Sequence, residues 1–287
     1  MANNGEAPAA VQRALRDALS DISRLENAVR TDEPDAVHDV RVALRTMRAV
    51  LTIFGPALAD VDLAPLRREL RWAGRQLADA RDLEVLRERF GEELPVGSAS
   101  QWIADDLTRR HSLDHARGVE ALDDPRWSAM KALATQVLDS PLPPSPQEDP
   151  RDVLRDLIHR YVERQVRSRL ARAEGNPADL HLWHEVRKAV KSTRYAWELI
   201  ASLPAADDDD RACATDWKTA GSALGDLQDT AVALDTVGQY LEAPPERDDV
   251  VRVLIEFQNH LRRTADAQLR TAGQRLGVVV ATDSSSS

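Results

Sequence analysis

The sequence predicts an all-α protein built from a duplicated helical unit, and three observations carry that prediction. First, only 12 glycines and 4% aromatic residues occur in 287 positions, a poor supply for strands, which favour aromatic and β-branched side chains. The common residues are instead Ala, Leu and Arg, strong helix formers. Second, apolar positions recur at helical spacing almost from end to end. Third, two segments recur in the same order at nearly the same separation. HDVRVALRTMR from His38 returns as HEVRKAVKSTR from His184, and RWAGRQLADARD from Arg71 returns as KTAGSALGDLQD from Lys218.

Residues 1–9 are expected to be disordered. The first unit spans 10–139, with helices over 10–30, 35–54, 63–91, 99–119 and 125–139. Pro34, Gly55-Pro56, Pro95 to Gly97 and Asp124-Pro125 separate them. A linker follows over 140–150, where five of eleven residues are proline and no helix can cross. The second unit spans 151–276, with helices over 150–174, 179–202, 209–241 and 247–276, broken at Gly175 to Pro177, Pro204 and Pro244-Pro245. Residues 277–287 read as a flexible tail.

Cys213 is the only cysteine, so no intramolecular disulfide can form, which suits the cytoplasm. The opening residues have neither the basic nor the apolar part of a signal peptide. No apolar run approaches the ~18–20 residues of a membrane span. The net charge of −10 by itself disfavours a polyanionic partner, but the basic residues are clustered.

His38, Arg41, Arg45 and Arg48 follow one another at +3, +4, +3 and so form a row along a helix. Val37, Val40, Leu44, Met47 and Leu51 form an apolar row one residue earlier, about 100° away. The apolar row must face the core, so the basic row is expected at its flank. His184, Arg187, Lys191 and Arg194 copy the arrangement beside Trp183, Val186 and Val190. Arg67, Arg71 and Arg75 add a third row, with Arg68 beside it. Lys218 alone stands in the matching place of the second unit.

An ordinary solvated helix face interleaves acids and bases. Here Arg41, Arg45 and Arg48 have no acid three or four residues away, and Arg41 faces Arg45 across one turn, which costs a few tenths of a kcal/mol. Arg194 does have Glu198, and Lys188 has Glu185. Unpaired arginines point to an anionic partner or to acids on another helix. Arginine suits phosphate because its planar fork donates two parallel hydrogen bonds. A histidine at the head of each row adds a donor that gains charge as pH falls.

HDVRVALRTMRAVLTIF and LWHEVRKAVKSTRYAWELI, each followed by an (Arg/Gln)-Asp segment, resemble the two halves of a CHAD domain, the conserved-histidine α-helical domain. The resemblance covers residues 10–276. It implies two pseudo-symmetric antiparallel helical bundles and a basic groove that binds inorganic polyphosphate without catalysis. His38, Arg41, Arg45, Arg48, His184, Arg187, Lys191 and Arg194 are the binding residues it implies, with Arg67, Arg71, Arg75 and Lys218 as contributors. Gln228 departs from the family's usual arginine before Asp229. No catalytic residue, cofactor or metal site is expected, and no enzymatic activity. The expected setting is the cytoplasm, with polyphosphate granules as the place of action.

Other clusters read blandly. His181 and His184 lack a third ligand at metal-binding spacing. Asp82 and Asp229, at equivalent positions, are expected to orient a neighbouring base rather than to catalyse. Arg109, Arg110 and His111 form a further basic cluster. The Arg160, Arg164, Arg167 series is interspersed with acids and reads as a solvated face. The run Asp207–Asp210 reads as a solubilising loop. Single-stranded nucleic acid is the alternative ligand, but stacking needs exposed aromatics, and Trp183 and Trp197 fall on the apolar side. A helical scaffold with internally paired arginines is the third reading.

Overall fold

The computed structural model describes residues 6–58, 62–141, 149–204 and 206–285; residues 1–5 and most of the expected linker lie outside them. The described residues form helices and connecting turns, with no strand among them. Helix α1 (Glu6–Arg30) buries Val11, Leu15, Ala18, Ile22 and Val29 on one face. A turn then brings the chain to α2 (Ala36–Ile53). Asp32 and Asp35 take the left-handed conformation there, at φ 53° and 59°, which aspartate tolerates better than most residues. The single-turn α3 (Gly55–Leu58) follows.

The expected helix 63–91 is two helices, α4 (Ala64–Gln76) and α5 (Ala78–Glu93), divided at Leu77. Neither glycine nor proline causes the break. Leu77 is fully buried in the larger core, whereas α5 from Leu83 onward serves a second core. The chain must turn to serve both. Gly118 of α6 (Ser98–Asp123) leaves room for that turn. A methyl group on Gly118 would lie 3.1 Å from Leu77 Cδ2. Helix α7 (Pro125–Leu138) starts where Asp124 accepts a hydrogen bond from the Arg126 amide at 2.8 Å and proline takes the first turn.

Helix α8 (Pro150–Tyr161) runs through a π-helical stretch, Val162–Arg167, into α9 (Ser168–Gly175). This replaces the regular helix expected over 150–174. Val162 and Val166 are fully buried within the stretch. Helix α10 (Leu180–Ala201) is capped by Asp179, which accepts from the His181 amide at 3.0 Å.

Helix α11 (Asp208–Glu242) starts on the run read from sequence as a loop, a reading the structure corrects. Asp207 and Asp210 form a reciprocal capping box, each carboxylate accepting from the other's amide. Asp210 is 1% exposed and accepts from Arg155 Nε at 2.8 Å. Replacing Asp210 with Ala is expected to cost about 2–4 kcal/mol, because it removes a cap and one partner of a buried ion pair. Exposed Asp209 should tolerate Ala within about 0.5 kcal/mol. Urea denaturation of the two variants measures the difference.

Helix α12 (Asp248–Ser285) runs past residue 276, so the expected loose tail is helical as far as Ser285. Leu276, Val279 and Val280 are buried in the larger core, and Arg167 Nη2 donates to the Val280 carbonyl at 2.8 Å. These contacts hold a segment too short and too β-branched to declare itself as helix. Likewise residues 6–9 belong to α1 rather than to a disordered start.

In the packing, α1 lies on α2, α2 on α4 and α5 on α6, while α9 lies on α10, α10 on α11 and α11 on α12. The larger core draws on α1, α2, α4 and α7 as well as α8 to α12. The second joins α5 and α6 to α11 and α12. Helices α2 and α10, which carry the two basic rows, pack directly against each other.

Candidate functional site

Val37, Val40, Leu44 and Met47 are at most 2% exposed, which turns the core face of α2 inward as its spacing requires. His38, Arg41, Arg45 and Arg48 are half-buried at the edge of that face. On α10, Trp183, Val186 and Val190 are buried, and His184, Arg187, Lys191 and Arg194 take the corresponding edge.

The two edges meet. Arg45 is among the charges acting on Arg187 and on Lys191, so a residue of the first row lies within electrostatic reach of two in the second. Asp82 and Asp229 stand in the same cluster. Each acts on Arg187, and Asp82 is in turn influenced by Arg187 and Asp229. The third row joins from α4: Arg71 and Arg75, with Arg45, are the cations that act on Arg48. Six cationic side chains here, Arg45, Arg48, Arg71, Arg75, Arg187 and Lys191, have no carboxylate within 4.0 Å among the described residues. The Arg41 and Arg187 Nε atoms are buried and have no hydrogen-bond partner.

Arg41 and Arg187 have related surroundings. Arg41 Nη1 donates to the Gly74 carbonyl at 3.1 Å, and its Nη2 lies 4.0 Å from Asp82 Oδ1. Gly221, the counterpart of Gly74, lies against Arg194 and Val190. Asp229 acts on Arg187 as Asp82 acts on Arg41. Gln228 reaches the ring of His184 with a hydrogen bond. In the first half Arg81 is the cation nearest in effect to His38. The second row thus has a neutral hydrogen-bonding partner here, whereas Arg81 acts on the first row by its charge.

Crowding of like charge in a half-buried place has predictable electrostatic effects. Burial, reinforced by Arg187 and Arg45, pushes the Lys191 ammonium down to about 6. Burial lowers Arg48 too, with Arg71 and Arg45 adding to the effect. His38 and His184 fall below the usual histidine range, chiefly through burial. Burial raises Asp82 and Asp229 against the pull of their arginine neighbours.

Not every expected residue joins. Arg194 is taken by Glu198 at 2.7 Å and lies over the Tyr195 ring. Lys218 is exposed. Gln228 faces His184 and Gly221 faces Arg194, so α11 runs antiparallel to α10 and Lys218 falls a turn beyond Arg194. Arg67 sits one turn before Arg71 and is not among the charges acting most strongly on Arg48. Three nearby residues carry no signal in the sequence. Tyr161, at the end of α8, is held by Ser192 and lies within reach of Arg48. Arg89 donates to Thr230 Oγ1 at 2.8 Å and acts on Asp229. Arg81, just before Asp82, pairs with Glu84 at 2.8 Å.

Most members of the other basic clusters have acidic partners. Arg109 and Arg110 both pair with Asp106, Arg160 pairs with Asp156, and Arg167 pairs with Glu163 at 2.7 Å. Trp183 and Trp197 are 4% and 2% exposed, so neither offers a face for stacking.

An all-α domain with two basic rows brought together by the packing of two equivalent helices is the class that fold and site define. Residues 13–238 match the CHAD domain, and the chain belongs to the CHAD family; α12 falls outside the matched residues. It is similar to two uncharacterized proteins of Mycobacterium tuberculosis, MT2285 and Rv2226, each 27% identical over 96% of this chain. The chain spans 55% of the length of those relatives. Among solved structures, the CHAD domain from the plant Ricinus communis superimposes with a TM-score of 0.76 at 22% identity, covering 94% of this chain and 91% of that one. PptA from Streptomyces chartreusis gives 0.71 at 22% identity, covering 93% and 98%. These likenesses establish the all-α CHAD fold. No helix is long and apolar enough to cross a membrane among the described residues.

Proposed function

We propose that the chain binds inorganic polyphosphate without transforming it, in a single basic groove to which both duplicated halves contribute. One observation carries the reading. Arg45 of the first row and Arg187 and Lys191 of the second form one cluster without a carboxylate in ion-pairing distance. Other arginines do have acidic partners, as at Arg126–Glu69 and Arg155–Asp207, whereas these three have none. A partner with repeating negative charge would relieve the repulsion inside the cluster. The buried Trp183 and Trp197 favour a bare phosphate chain over single-stranded nucleic acid, which needs stacking platforms. The unpaired members of the rows, Arg45, Arg48, Arg187 and Lys191, count against a scaffold whose arginines pair internally. Targeting to polyphosphate granules in the cytoplasm is the role that follows.

Calorimetric titration with long-chain polyphosphate at two salt concentrations tests this. With roughly eight phosphate contacts and a slope of about −0.7 per contact, a fourfold rise in salt is expected to weaken binding roughly a thousandfold. Polyphosphate should displace bound single-stranded DNA, and the DNA should fail to displace polyphosphate. Salt-insensitive binding, or the reverse order of displacement, would overturn the reading.

A further inference from the structure

A second group of polar side chains lies beside the basic cluster, contributed by three segments far apart in sequence. Asp32 comes from the turn between α1 and α2, Glu84 from α5 and His111 from α6. One donor atom from each lies within 4.8 Å of the others. His111 is 4% exposed, yet its Nε2 has no hydrogen-bond partner. That nitrogen lies 3.6 Å from Glu84 Oε1, too far for a hydrogen bond. Leaving a buried polar atom unsatisfied costs about 1–3 kcal/mol, so the position calls for an occupant.

The surroundings orient the donors. Arg81 Nη1 donates to Glu84 Oε2 at 2.8 Å, which leaves Oε1 for the side facing His111. His115, one turn along α6, stacks on His111 and donates from Nε2 to the Val29 carbonyl at 2.7 Å. The same nitrogen lies 3.4 Å from Asp32 Oδ1. Asp32 is held at φ 53°, a conformation that costs a non-glycine residue free energy and persists where surrounding contacts fix it. Outer partners of this kind fix metal ligands in place.

We propose that Asp32, Glu84 and His111 bind a divalent transition-metal cation of the zinc class. One imidazole nitrogen and two carboxylate oxygens suit such an ion, with coordination positions left for water. Bond lengths of about 2.1 Å at a tetrahedral centre put donors about 3.4 Å apart. The exposed turn bearing Asp32 supplies the small movement needed. Occupancy would tie the α1–α2 turn to α5 and α6 just before the first basic row begins at His38. Arg81 links the two places, since it pairs with Glu84 and Asp35 and acts on His38. The proposal stands independently of the polyphosphate reading.

The test uses the full chain freed of metal with a chelator and titrated with Zn2+ alone, then with Co2+ as a spectroscopic probe. One equivalent of Zn2+ should bind with saturation and raise Tm. Co2+ should give the visible absorption of a low-coordinate site. His111→Gln should weaken Zn2+ binding at least ~10-fold. Because His111 is buried, Asp32→Asn is the companion variant: the side chain is exposed, and asparagine accepts the left-handed conformation. It too should weaken binding and abolish the Co2+ bands, while exposed His181→Ala changes neither. Absence of saturable Zn2+ uptake, or uptake unchanged in Asp32→Asn and His111→Gln, would overturn the site.

Discussion

Changing Arg45 and Lys191 together to glutamate is expected to abolish polyphosphate binding while leaving helicity and Tm nearly intact. The two positions correspond in the two halves and meet at the centre of the cluster, where Arg45 acts on Lys191 directly. Each side chain would supply a charge-assisted hydrogen bond of about 1.5–3 kcal/mol. Losing both predicts a fall of at least ~100-fold before repulsion by the new carboxylates is counted. The fold should survive because both residues stand at the edge of the core rather than within it, and relief of like-charge crowding offsets part of the disturbance. Calorimetry measures the first effect and circular dichroism the second. A double variant that binds with unchanged affinity would remove these residues from the site.

Affinity for polyphosphate is also expected to fall as pH rises above about 6. In the free protein Lys191 is held down to about 6, so it is mostly neutral at pH 7. A phosphate oxygen beside it favours the ammonium, so binding takes up a proton above that value. One proton taken up weakens binding by up to about tenfold per pH unit. His38 and His184, both lowered by burial, act in the same direction. So do Asp82 and Asp229, whose raised values let them lose negative charge as pH falls. None of these groups opposes the trend. Lys191→Arg keeps its charge throughout, so its profile between pH 6 and 8 should be flatter than that of the unaltered chain. Titrations in buffers of different ionisation enthalpy measure the proton uptake. Binding that is flat over this range in the unaltered chain would contradict the assignment of Lys191.

The rows themselves were legible, because a helix places residues at +3, +4, +3 on one side whatever surrounds it. Their meeting was not. It depends on α2 packing against α10, a contact between residues about 146 positions apart that no local pattern encodes. Helix starts were read well where proline and aspartate coincide, as at Asp124-Pro125. Asp207–Asp210 was misread, because a run of four acids serves a loop and a helix N-terminus equally well. The break at Leu77 and the π-helical stretch at Val162–Arg167 leave no mark, since tertiary packing bends a sequence of ordinary helix formers. Val279 and Val280 extend α12 for the same reason. Asp32, Glu84 and His111 form no pattern in the sequence, because each comes from a different segment.

Because one interior is assembled from both halves, the two basic rows rest on a shared packed base. On the proposed reading, binding would not have to bring two separate bodies together, and the association rate should be set by long-range attraction between the cluster and an approaching anion chain. Charges placed on one base would then reward a ligand whose negative charges repeat at a matching interval.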